Sequence, residues 1–235
     1  MCIRDREVAN GDFIKAKLSF CTDFHSLPQF QVSKEKNMTH EWNLIMPSGS
    51  VQGDIRIGGF EENEISFKGL GYHDHNIGFE PLKDSFSEWY WGRYHLEEAT
   101  FIYYLMKRND GWENRAWLIG DNGVTEEADK IEISNYSFSF FGLKTARVIE
   151  CSVQEKQVFI QLDELLDNGP FYQRFGGRII VKNGESIDEA KGISEYIKPS
   201  RIYEKKFWPL INMRIAYPGK PHWVHKNPRL YRWTW

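Results

Sequence analysis

The chain has 235 residues, 41% of them apolar, 15% aromatic and 27% charged, so it carries enough apolar material to bury a core and is not a disordered polymer. Thirty Lys and Arg against 33 Asp and Glu leave a net charge of −3, without the positive field that phosphate contacts require, and nucleic acid is not an expected partner. Mean hydropathy is −0.56 and no apolar run approaches the roughly 20 residues of a membrane-spanning helix, which excludes an integral role and leaves peripheral membrane contact open.

Residues 1–6, Met-Cys-Ile-Arg-Asp-Arg, are what ATGTGTATAAGAGACAG plus one base translates to. That string matches the mosaic-end adapter of transposon-made sequencing libraries, so these residues are expected to be an artefact, with the natural chain beginning at Glu7 or upstream. Beyond them, period-2 alternation is the commonest pattern, and no stretch of ten or more residues repeats apolar positions at helical spacing. Nine Trp, 11 Tyr and 16 Phe, punctuated by 19 Gly, also favour strands.

The predicted strands are Phe13 to Phe20, Glu41 to Met46, Ser50 to Ile57, Glu64 to Lys68, Glu88 to His95, Thr100 to Lys107 and Arg115 to Ile119. They continue as Lys130 to Ser134, Tyr136 to Phe141, Ala146 to Ser152, Gln157 to Leu162, Tyr172 to Lys182, Gly192 to Ile197 and Leu210 to Ala216. Asn109-Asp110-Gly111, Asp121-Asn122-Gly123, Asn168-Gly169-Pro170 and Asn183-Gly184 supply residues that tolerate positive φ, as hairpin turns demand. The expected fold is all-β, an antiparallel meander closing into sandwiches or barrels, with one short helical piece at Ser186 to Lys191. An acidic stretch without large side chains at Val124 to Asp129 is read as the seam between two domains, 7–128 and 129–235. Each is short for a closed barrel. The basic, aromatic tail from Pro218 to Trp235 reads as a strap or a loose end. Cys2, Cys21 and Cys151 are too few and too scattered for a disulfide framework or a zinc site.

Polar and ionisable residues crowd into Gly69-Leu70-Gly71-Tyr72-His73-Asp74-His75-Asn76-Ile77-Gly78, followed by Trp89-Tyr90-Trp91-Gly92-Arg93. If residues 72–76 are extended, Tyr72, Asp74 and Asn76 share one face and His73 and His75 the other. The two histidines could reach one metal ion, yet the sequence places no third ligand. Alternatively they bond backbone at a sheet edge while Asp74 and Asn76 tie down a glycine-flanked turn. Upstream, Thr39-His40-Glu41-Trp42-Asn43 would aim His40 and Trp42 the same way in a strand. Such a pair is often a core Trp beside a satisfied His, but with Tyr72 and Asp74 it could line one cavity. Arg93 reads either as a partner of Asp74 or Glu98 or as a solvated cation, and Tyr172 and Arg174 read as structural.

His-x-Trp-Asn with a following Pro and Val, then Gly-x-Gly-Tyr-His-Asp-His-Asn-x-Gly, then Trp-x-Trp-Gly-Arg, resembles the carotenoid 1,2-hydratases, also called hydroxyneurosporene synthases. AttH-type proteins and lipocalin-like Diels-Alderases are their wider relatives. The motif-bearing stretch runs from about His40 to Arg93. The resemblance implies two lipocalin-like β-domains in tandem, the first lacking its opening strands, and it departs from the family at Ile77, where Trp is usual.

It further implies hydration of an isoprenoid double bond, in which an acid protonates the alkene and water captures the tertiary cation. A carboxylic acid in an apolar pocket is kept protonated because burial disfavours its charged form, and Asp74 matches the family's acid. Trp42 and Tyr72 would stabilise the cation by roughly 0.5 to 2 kcal/mol each through their ring faces, and His40 would position or deprotonate the water. His73, His75, Asn76, Trp89, Trp91 and Arg93 would bind substrate or support the acid. No metal, nucleotide or redox cofactor enters this scheme, and no phosphate loop, Gly-x-Ser-x-Gly elbow or Cys-x-x-Cys appears. The partner is a hydrophobic small molecule of the isoprenoid or carotenoid class. Two other readings stay open: a non-catalytic binder of hydrophobic molecules, and a cyclase or Diels-Alderase on the same scaffold.

Overall fold

In a computed structural model of the chain, the described residues are 6–7, 13–22, 40–58, 63–78, 80–108 and 110–208. They fall into two compact units, Met1–Ile77 and Gly78–Trp235. Residues 1–5, the predicted strand at Leu210 to Ala216 and the tail from Pro218 lie outside the described residues.

The first unit is a four-stranded antiparallel sheet of β1 (Arg6–Glu7), β2 (Phe13–Cys21), β3 (His40–Gly58) and β4 (Asn63–Gly78), in that order. Two strands were expected within β3, separated at Pro47, but one long strand forms. β2 pairs with β3 only over Ser50–Gly58, so Pro47 stands beyond the end of that partner, where its missing N–H breaks no bond to β2. Along β3, Trp42, Leu44 and Met46 are buried while Ile45 is exposed, the alternation of a strand with one covered face. β4 likewise runs well past the predicted Lys68 and carries the whole polar motif in extended form. A Cβ on Gly71 would lie 2.2 Å from Val51 Cγ2 and 3.0 Å from the Phe20 ring, so only glycine lets those side chains cross β4 at this point.

The second unit is a nine-stranded antiparallel sheet. Its strands are β5 (Glu88–His95), β6 (Ala99–Arg108), β7 (Gly111–Gly120), β8 (Thr125–Glu127), β9 (Asp129–Phe138), β10 (Lys144–Val153), β11 (Lys156–Asn168), β12 (Tyr172–Asn183) and β13 (Ser186–Ile197), ordered β8-β7-β6-β5-β13-β12-β11-β10-β9. β5 pairs with β13 from Trp89↔Ile197 to Tyr94↔Gly192. This long-range pairing corrects the seam placed at 124–129: residues 88–127 share one sheet with 129–197, and the units divide at Ile77 instead. Composition marked that stretch because β8 and β9 are the two edges of the sheet, joined only through Ala128, whose N–H bonds the Ala116 carbonyl. Asn114 of β7 also reaches the Ile131 carbonyl of β9 at 3.4 Å. The sheet therefore curls so that β7 approaches β9, while β8 and β9 remain its two edges among the described residues.

The helical piece expected at Ser186 to Lys191 is strand. Gly184, with φ +59, turns the chain so that Lys182 pairs with Ile187 and Asn183 with Ser186, and the new strand packs Ala190 on the core. Pairing and burial outweigh a weak helical propensity. The concave core holds Tyr90, Tyr94, Phe101, Tyr103, Phe175 and Tyr196 among aliphatic residues. Tyr94 lies across Gly177 and Gly192, where a Cβ would come within 2.4 and 2.5 Å of it.

Candidate functional site

β3 and β4 are neighbours in the first sheet, and this brings Trp42 beside the polar motif. The fully buried Trp42 donates from Nε1 to Asp74 Oδ2 at 2.7 Å. Tyr72 donates its hydroxyl to the same oxygen at 3.0 Å, two residues along the same face of β4. Both are charge-assisted bonds whenever the carboxyl is ionised. Asp74 is itself partly buried. The carboxyl is thus held by two aromatic donors on one oxygen, with the indole and phenol rings close to it.

Alternation sends His73 and His75 to the other face, His73 partly buried and His75 exposed; Asn76 is exposed. The motif is an extended edge strand of its sheet, not a turn. Among the described residues, no group of three or more His, Cys, Asp or Glu converges as metal ligands would. His40 opens β3, and its side chain lies outside the described residues.

Trp89, Trp91 and Arg93 belong to the second unit, on alternate positions of β5 facing away from the concave core residues Tyr90 and Tyr94. Trp89 packs edge-on against Phe86, with ring centres 5.6 Å apart, and against Tyr104 at 5.1 Å; Trp91 is buried. Arg93 donates from Nη1 to His95 Nε2 at 2.9 Å. A guanidinium only donates, so Nε2 must accept and the imidazole proton sits on Nδ1, 2.9 Å from Thr100 Oγ1. Burial and the Arg93 charge press the His95 pKa down to about 4, which keeps it neutral at pH 7. Sequence reasoning passed over His95, though its i, i+2 spacing from Arg93 in a strand was the available signal. Arg174 donates to Tyr172 Oη and Glu195 Oε1, a cross-strand cluster that matches its structural reading. A cleft of about 360 Å³ opens between Leu96, Leu118, Val124, Lys156, Val181 and Asp188 of the second unit. None of the predicted site residues lines it.

The profile of the family described as carotenoid hydratase CrtC matches residues 15–226. The chain belongs to this family. It is 28% identical over 211 residues to a hydroxyneurosporene dehydrogenase of Chlorobaculum tepidum, covering 86% of this chain and 53% of that protein. It is 25% identical over 191 residues to the acyclic carotenoid 1,2-hydratase of Rhodobacter capsulatus, covering 80% and 62% respectively. The chain thus spans roughly half to three fifths of the length of these relatives. A 73-residue stretch, 31% of this chain and 19% of its relative, is 34% identical to the quinolone epoxide rearrangement protein asqO of Emericella nidulans. In fold, the chain is similar to a putative AttH of Nitrosomonas europaea, with a TM-score of 0.53 at 13% identity over 83% of this chain and 68% of that one. This likeness is one of fold alone, a nearly all-β architecture consistent with a lipocalin-like fold.

Proposed function

We propose that the protein adds water to a terminal carbon–carbon double bond of an acyclic carotenoid or related isoprenoid, with Asp74 as the general acid. The observation that carries this reading is the convergence of Trp42 Nε1 and Tyr72 Oη on Asp74 Oδ2. With both donors on Oδ2, a transferable proton belongs on Oδ1. The Oδ1–H bond breaks as a C–H bond forms at the less substituted carbon of the terminal double bond, and the more substituted carbon becomes a tertiary cation. The carboxylate left behind keeps its two hydrogen bonds, and the adjacent ring faces stabilise the cation. Water adds to the cation, and its surplus proton returns to Asp74, directly or through His40, whose role rests on the sequence resemblance. The balance is alkene plus water to tertiary alcohol, with the acid regenerated.

The same reading takes the four-stranded and nine-stranded sheets as parts of two lipocalin-like domains in tandem, supported by their separate hydrogen-bonded ladders. Identity to a rearrangement protein across 73 residues favours one further reading, an acid-initiated rearrangement or cyclisation that starts from the same carboxyl. Incubating the protein with an acyclic carotenoid in ¹⁸O-labelled water distinguishes these. Hydration yields a labelled tertiary alcohol. An unlabelled isomer points to rearrangement, and a retained carotenoid released unchanged points to a binder; either result overturns the hydratase reading.

A further inference from the structure

We propose that the β9–β10 hairpin of the second unit, together with the basic segment after β13, is a docking surface for anionic phospholipid bilayers. Phe138 and Phe140 are 73% and 78% exposed, the two most exposed large apolar side chains among the described residues. Phe140 is held there by a built turn. Ser139 exchanges backbone bonds with Leu143 and Gly142, its hydroxyl accepts from the Leu143 N–H at 3.0 Å, Gly142 takes φ +73, and the Leu143 side chain is fully buried as an anchor. The Phe141 ring stands edge-on to Phe140 at 5.2 Å. A ring presented on an ordered turn lowers the ordering cost of inserting it into an interface.

The charge around the tip selects the occupant. Arg201 donates from Nη1 to the Phe141 carbonyl at 2.9 Å and from Nη2 to the Gly142 carbonyl at 3.1 Å, clamping the helical turn Pro199–Tyr203 onto the hairpin. The chain then presents Lys205 and Lys206, both exposed, and β10 opens with the exposed Lys144, whose Nζ lies 4.6 Å from the Tyr136 ring centre. Glu204 is the acid in this segment, paired with Lys206 at 2.7 Å and Arg201 at 3.4 Å. Protruding phenylalanines beside the exposed Lys144, Lys205 and Lys206 complement an anionic headgroup layer over acyl chains. A purely apolar protein partner would not call for the excess cations.

This inference deepens the proposed function by naming where an isoprenoid dissolved in a bilayer would be met, and it is read without catalysis. Sedimentation with vesicles of equal parts phosphatidylcholine and phosphatidylglycerol should carry the full chain down, and pure phosphatidylcholine much less of it. Phe138→Ser with Phe140→Ser should weaken partitioning about tenfold or more. Lys205→Glu with Lys206→Glu should weaken it and flatten its salt dependence. Asp74→Asn should bind vesicles as the wild type does, so failure of the chemistry and failure of docking are separable. Absence of wild-type binding, unchanged binding in both surface variants, or loss of a dimer in place of vesicle binding in the phenylalanine variant would overturn the assignment.

Discussion

At the Asp74 carboxyl, two donors share one oxygen, and this sets how substitutions there combine. Trp42→Phe and Tyr72→Phe each keep a ring and remove one donor, so each should slow hydration, with a combined loss smaller than the product of the two. A double-mutant cycle on turnover reads the coupling; strict additivity would mean that the donors act independently. Glycine is the other residue type whose role is set by a single atom. A Cβ on Gly92 would sit 2.5 Å from the Tyr103 ring and 2.6 Å from Ser194 Oγ, inside a core where both neighbours are fully buried. Gly92→Ala should therefore cost about 1 to 3 kcal/mol in chemical denaturation, although the residue carries no chemistry. The motif that pointed to a site in the sequence thus mixes two kinds of residue. Asp74 and Tyr72 are bonded to each other, whereas Gly71 and Gly92 are there to let large side chains pass. Sequence alone could not separate them, because the atoms that crowd each glycine come from strands distant in the chain.

The strands were legible wherever alternation and turn chemistry agreed. Gly111, Gly123 and Gly184 all take positive φ at turns read from Asn and Asp beside Gly. What alternation missed was length: β3 and β4 run on through Pro47 and through the polar motif, because strand pairing rather than local composition decides where a ladder ends. The error at Ser186 to Lys191 has the same origin. On β5, His95 supplies a pH prediction. Its pKa is about 4 in the fold against an ordinary 6.5, so between those values the unfolded chain binds a proton that the folded chain does not. Stability should fall as pH drops from about 6.5 to about 4 and this contribution should level off below that. Replacing His95 with Gln should flatten that part of the pH–stability profile, and an unchanged slope would mean that other groups produce it. Leu143, the anchor of the exposed hairpin, is fully buried; Leu143→Ala should cost about 2 to 5 kcal/mol.

For the whole molecule, composition alone did not locate where the chain divides. The seam at 124–129 was read from composition, whereas the true division follows from a pairing between β5 and β13, about a hundred residues apart in the chain. The second unit encloses its own aromatic and aliphatic core, so a chain of residues 78–235 should give a strand-type circular dichroism spectrum and a cooperative melt; a featureless, non-cooperative melt would mean that its sheet depends on the first unit. The site residues divide the same way, Trp42, Tyr72 and Asp74 in one unit and Trp89, Trp91 and Arg93 in the other. The central claim concerns the first group, and comparison of wild type with Asp74→Asn on an acyclic carotenoid tests it most directly. Loss of a general acid predicts that the yield of tertiary alcohol falls by about a hundredfold or more while the variant stays folded; equal yields from the two proteins would contradict it.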